Sequence, residues 1–197
     1  MKCLLLGALL TALPVAHAIE FNQVQTGKSA LSFVSKQMNV PVEGQFKSFR
    51  GKLAFDPAKP AAATAELEID LASIDAGSKD ANDEVAGKAW FNTRAFPVAK
   101  FVVTSVKPLG GNRFEVAGKM TIKGKTQDLA APVTLRQEGN SATFEGSLVI
   151  KRADYAIGEG MWADFGTVAN EVQVKYRLVA TAREISYPNF SPKEENP

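Results

Sequence analysis

The chain has 197 residues, with 23 basic against 21 acidic, a single cysteine and a single histidine. That length suits one domain with a real core, and the near balance of charge, with basic residues scattered along the chain, gives a nucleic acid or other polyelectrolyte no footing. Cys3 and His17 both fall in the first 18 positions. The remainder therefore has no disulfide, thiolate nucleophile, Ser-His-Asp relay, or zinc or haem site built on Cys or His, and no cofactor is expected.

Lys2, the apolar run from Cys3 to Leu10, Pro14 and Ala16-His17-Ala18 form the three parts of a secretory signal. Cleavage after Ala18 is expected; removing those 18 of 197 residues leaves 179, starting at Ile19 and destined for the periplasm. The run is shorter than the roughly 20 apolar residues of a spanning helix. Cys3 stands ahead of it and not at the cleavage point, so no stable membrane anchor is expected.

Beyond the leader, apolar and polar residues alternate with the period of strands that bury one face. Leu31-Phe33 is the first such segment. Phe49, Gly51, Leu53 and Phe55 follow, then Ala65, Leu67, Ile69 and Leu71, whose charged neighbours Glu66 and Glu68 must face water. From Ser78 to Trp90 the pattern breaks: an N-cap serine, acidic Asp80 and Asp83, and a run of helix formers predict one short helix, a natural lid or plug for a barrel mouth.

Phe101-Val103, Phe114–Ile122, Leu129–Leu135, Phe144–Ile150 and Val172–Ala182 resume the alternation, giving about eight strands, near the number that closes a small barrel. Gly110-Gly111-Asn112, Lys123-Gly124-Lys125 and Glu138–Ser141 are hairpin signals, so successive strands should be antiparallel neighbours. Pro132 cannot donate to a ladder and predicts an edge or bulge, a candidate homodimer contact. The domain is placed at 19–185, with 186–197 as a frayed tail. The fold class is all-β, an antiparallel lipocalin-like barrel with one inserted helix.

The inner face implied by this register is apolar, and Gly51, Ala65, Gly118, Ala131 and Gly146 leave room within it. Two readings follow, a dry packed core or a cavity that admits one slender ligand. In the second case each buried isoprene unit gains roughly 4 kcal/mol before ordering costs, so no charged anchor is needed.

Five segments in order carry a resemblance: Gly44–Gly51 with Phe55-Asp56-Pro57; Ser73–Gly77; Ala89–Asn92 with Phe96-Pro97; Val116–Thr126; and Ile150–Tyr155 with Gly158, Trp162 and Val172. Together they resemble the YceI-like family of exported lipocalin-like proteins. The resemblance implies an extended antiparallel barrel with one inserted helix and a hydrophobic tunnel that takes long isoprenoid, quinone-like or related amphiphilic lipids, and it brings no catalytic residues. Many members carry histidines in the first strands, where this sequence has none, so recognition of a head group by imidazole is not carried over.

The candidate ligand-binding residues are the large inward side chains Phe33, Phe46, Phe49, Phe55, Leu67, Ile69, Phe101, Phe114, Met120 and Ile150, together with Trp90, Phe91, Trp162 and Phe165 in two aromatic knots outside the alternation. The knots either touch ligand or plug a barrel end, since large aromatics in loops must cover something. Arg152 shares the parity of Ile150; its guanidinium either contacts a head group or forms a structural ion pair at the strand end. Asp80, Asn82 and Glu84 have calcium-loop spacing, but Val85 stands where the turn needs glycine, so no metal is expected. Two competing functions are a barrel enzyme using Asp154 or Asp164, which would need a carboxylate tuned by burial, and an interaction module with a filled interior.

Overall fold

The computed structural model describes residues 19–182; the expected leader and tail lie outside the described residues. Among the described residues there are eleven strands: β1 (Phe21–Val24), β2 (Ala30–Gln37), β3 (Val40–Phe46), β4 (Phe49–Ala54), β5 (Thr64–Asp70), β6 (Ile74–Asp75), β7 (Val98–Gly110), β8 (Arg113–Ile122), β9 (Lys125–Glu138), β10 (Ser141–Lys151) and β11 (Glu171–Ala182). They form one antiparallel sheet in the order β4-β5-β7-β8-β9-β10-β11-β2-β3-β6, with β1 also on β11. The sheet curls until its flanks meet, where Phe21 and Phe55 exchange both backbone hydrogen bonds at 2.9 and 3.1 Å.

All eight expected strands are present, as β2, β4, β5 and β7 to β11. The other three subdivide or extend the same staves. β1 and β2 run along one flank of β11, facing 180–182 and 173–177, and are separated only by a tight turn at Thr26–Lys28. β3 turns into β4 at a corner, Lys47-Ser48, which Ser73 holds: the Lys47 N–H donates to the Ser73 carbonyl and the Ser48 N–H to the Ser73 hydroxyl. β6 is two residues long. Pro41 and Gly44 weaken the strand signal of β3 in the sequence, and its hairpin with β2 turns at Met38-Asn39, both with positive φ (48° and 65°), where methionine gives no turn signal.

The alternation holds in three dimensions. Leu67 and Ile69 face inward, while Glu66 and Glu68 lie outside against Lys100 on the neighbouring β7, at 2.8 and 3.5 Å. Pro132 does mark an interruption, but inside the sheet. The ladder between β9 and β10 ends at the pair Thr134 and Glu145, and the Tyr176 hydroxyl reaches over β10 to donate to the Pro132 carbonyl. β9 lies between β8 and β10 in the strand order, but its residues before Thr134 pair only with β8, so the edge expected at Pro132 is present as a local opening between β9 and β10.

The helix α1 spans Lys79–Ala86 with Ser78 as its cap, the hydroxyl accepting from the Ala81 N–H at 3.2 Å. It is shorter than the expected 78–90, because the chain leaves the helix at Gly87 and continues in turns that carry Trp90 and Phe91 inward. Two buried clusters divide the barrel. Phe21, Phe55, Phe114, Leu135, Ala142 and Ala180 close one end. Leu31, Ile69, Leu71, Ala99, Ile122, Tyr155 and Ile157 line the wall near α1.

Candidate functional site

Between the two clusters the barrel is hollow. A cavity of about 670 Å³ runs along its interior, within the range of small-molecule sites. Its walls are the inward rows of the strands, and many of those side chains, Phe33, Leu67, Met120 and Leu148 among them, are only half buried although they point to the barrel axis. That combination separates a vacant interior from a packed core, where close packing would seal them.

Three glycines explain how a barrel this rich in aromatics stays open. A methyl group on Gly44 would stand 2.2 Å from the Phe33 ring, one on Gly118 2.6 Å from the Phe101 ring, and one on Gly146 2.5 Å from the Tyr176 hydroxyl. Each of these side chains therefore reaches over a glycine of the adjacent strand, into space that a β-carbon would take. The small residues leave room, as expected, but the room is taken by rings folded against the wall, and the hollow is the result.

The floor is the cluster of Phe55 with Phe114 and Phe144, edge to face at 5.6 and 5.1 Å. At the opposite end α1 turns Ala81, Glu84 and Val85 to the cavity, as the spacing i, i+3, i+4 dictates. Phe91 packs edge-on against Phe46 at 6.1 Å, and Trp90 lies tilted against Trp162, their ring centroids 5.6 Å apart. One hydrogen bond, from the Trp162 indole N–H to Glu84 Oε1 at 2.7 Å, ties the loop after β10 to α1. The Trp90 indole N–H is buried with no hydrogen-bond partner among the described residues.

Thirteen of the fifteen candidate residues line this cavity. Phe33, Phe46, Phe55, Leu67 and Ile69 do so from the first half of the chain, Phe101, Phe114, Met120 and Ile150 from the second, and Trp90, Phe91, Arg152 and Trp162 from the α1 end. Phe49 does not: at the β3–β4 corner its ring packs against the wall cluster and borders a shallow outer groove with Arg50 and Glu68. Phe165 does not either; half exposed, it covers the Arg152 guanidinium at 5.2 Å. The reading from sequence missed Ser35 and Gln37, which share inward parity with Leu31 and Phe33, as well as Val85, Val168 and Tyr176.

Arg152 corrects both of its expected roles. It is almost wholly buried, 2% exposed, yet its N–H groups donate to the carbonyls of Ala169, Ile157, Gly158, Trp162 and Val168 at 2.7 to 3.1 Å. All five donors of the fork are spent on backbone. The side chain thus folds the 152–170 loop around itself, between the rings of Trp90 and Phe165, and offers a ligand no free donor. Burial pushes its pKa down, against a smaller upward pull from Asp164. Asp154 and Asp164 are both exposed. Asp164 is held below the ordinary carboxylate range, chiefly by the Gly166 N–H and then by the Thr167 hydroxyl. This is the opposite of the tuning a general acid needs. Around α1, Asn82 caps the Ala76 N–H at 2.7 Å while Glu84 holds Trp162, so both side chains serve the lid.

The model of the YceI-like domain matches residues 23–180. The chain belongs to the YceI-like family. Among similar proteins, a UPF0312 protein of Pseudomonas fluorescens is 33% identical over 144 residues, covering 68% of this chain and 71% of the relative. The crystal structure of Burkholderia cenocepacia BcnA shares 51% identity with a TM-score of 0.79, covering 81% of this chain and all of that one. A polyisoprenoid binding domain from Saccharophagus degradans, at 21% identity and a TM-score of 0.64 over 85% of this chain and all of its own, shares the fold. Parts of the five family segments meet at the α1 end, while Phe55 of the first belongs to the floor: the corner of 44–51 is held by Ser73, Lys47 pairs with Asp75 at 2.7 Å, the Gly158 N–H donates to the Ala89 carbonyl, and Lys123 donates to the Ala156 carbonyl at 2.7 Å.

Proposed function

We propose that this YceI-like protein binds a long isoprenoid, a quinone-like lipid or a comparable amphiphile inside its barrel, and that it stores or carries that lipid in the periplasm after losing residues 1–18. The observation that carries the reading is the vacant apolar interior, kept open by rings seated on Gly44, Gly118 and Gly146. A hydrocarbon chain entering it leaves water at about 0.8 kcal/mol per methylene before ordering costs. Binding without turnover is supported by the placement of Asp154 and Asp164, both outside the lumen.

The test has two parts. Protein purified from its own cells is extracted with organic solvent and the extract examined by mass spectrometry, with one lipid per chain expected. Leu67→Trp and Met120→Trp, which add bulk to half-buried lumen positions, should abolish prenyl-chain uptake while leaving the melting temperature unchanged or higher. An extract without lipid, together with no uptake of prenyl chains by the unaltered protein, would overturn the proposal.

A further inference from the structure

The polar groups that face the lumen are few, and their placement gives the cavity a direction. On β2 the inward row Leu31, Phe33, Ser35, Gln37 changes from apolar to polar at its last two members, at the end that meets α1. Neither the Ser35 hydroxyl nor the Gln37 side-chain amide has a hydrogen-bond partner among the described residues. They are not isolated from the rest of that end. Gln37 bridges Val168 through the backbone, the Val168 carbonyl holds Arg152, and Arg152 stacks on Trp90, whose own indole N–H is buried and unpaired.

The electrostatics of this end exclude an anion. Arg152, the cation that lines the cavity there, has no donor left, Lys47 and Lys123 beside this end are paired with Asp75 and Glu159, and the Glu84 carboxylate lines the same space. Lys52 borders the cavity from β4, next to Glu66 and away from α1. A hydroxyl and an amide each donate and accept, so together they suit a neutral head of either polarity.

Resting on the carrier reading, we infer that Ser35 and Gln37 form a head-group site for an uncharged, hydrogen-bonding lipid head (hydroxyl, carbonyl or amide), that phosphorylated heads are rejected, and that the tail runs toward Phe55, Phe114 and Phe144. A phosphate placed here would face the Glu84 carboxylate with no free donor from Arg152 to offset it.

The experiment compares three C20 probes with one tail: geranylgeraniol, geranylgeranyl monophosphate and the headless hydrocarbon, titrated by quenching of Trp90 and Trp162 fluorescence. The alcohol should bind at least about tenfold more tightly than the monophosphate and about five- to tenfold more tightly than the hydrocarbon, as expected for one or two neutral hydrogen bonds. In the Ser35→Ala/Gln37→Leu double variant the alcohol should fall to the affinity of the hydrocarbon, with the hydrocarbon itself unchanged as the control for folding. Gln37→Lys should raise monophosphate affinity about tenfold by supplying the missing cation. Equal binding of alcohol and hydrocarbon, a monophosphate as tight as the alcohol, or a double variant that keeps the alcohol preference overturns this inference alone. A protein that takes up none of the three sinks the carrier reading as well.

Discussion

Arg152→Met keeps an unbranched apolar stem but removes the guanidinium and all five donors, leaving five carbonyls without their partner. Three of the lost bonds, to Ile157, Gly158 and Val168, are fully buried. Orphaning a buried acceptor costs about 1–3 kcal/mol, so the three together amount to roughly 3–9 kcal/mol. Release of a buried cation from its desolvation, and water entering the gap, pull the figure toward the lower end. A loss of at least about 3 kcal/mol is expected from a domain whose total is of order 5–15 kcal/mol. At roughly 2–4 °C per kcal/mol for a chain of this size, the melting temperature should drop by about 6 °C or more. Arg152→Lys retains the charge but not the planar fork, and should fall between the two. Thermal and urea unfolding followed by circular dichroism measure both variants. If Arg152→Met melts within about 2 °C of the unaltered protein, the carbonyls have other partners and the loop is not organised by the guanidinium.

Other consequences can be checked separately. Gly146→Ala should destabilise by about 1–3 kcal/mol or more, because the added carbon would stand 2.1 Å from the Pro132 carbonyl, which is backbone and cannot swing aside; it should also reduce prenyl uptake by lifting the Tyr176 ring into the lumen, both readable by melting and titration. Asp75 is held below its ordinary value of 3.8 first by its hydrogen bond from Lys47 and then by the Gly77 N–H. A carboxyl depressed in the folded state stabilises above its unfolded pKa and loses that contribution as the pH falls through the folded one. Melting temperature should therefore decline below about pH 4, with a shallower decline in Asp75→Asn. Trp162→Phe keeps a ring beside Trp90 and removes the bond to Glu84; amide exchange in α1 should quicken, with global stability changing by about 1 kcal/mol or less.

The strand content was legible because a half-buried strand must alternate: the rows 65–71, 114–122 and 144–150 announce their inward faces without any tertiary information. The turns at Gly110–Asn112, Gly124 and Gly139 were legible for the same local reason, since their positive φ favours glycine and asparagine. β3 was not, because Pro41 and Gly44 depress local propensity; Gly44 is there for Phe33, a residue of the neighbouring strand. Phe49 kept the inward parity and still left the lumen, because the chain bends at Lys47-Ser48 and parity says nothing about where along the barrel axis a side chain lands.

What the sequence determined alone was therefore everything of short range: the alternation, the turns, the cap of α1, the absence of cysteine and histidine beyond the first 18 residues, and an apolar inner face. Whether that face was packed or vacant, and whether Arg152 served a ligand or its own loop, were decided only when strands far apart in the chain were laid side by side. A ring can lie down only over a glycine on the next strand, and a guanidinium can be saturated only by carbonyls that the fold has gathered around it. Both are facts about neighbours in space, which the order of residues does not encode locally.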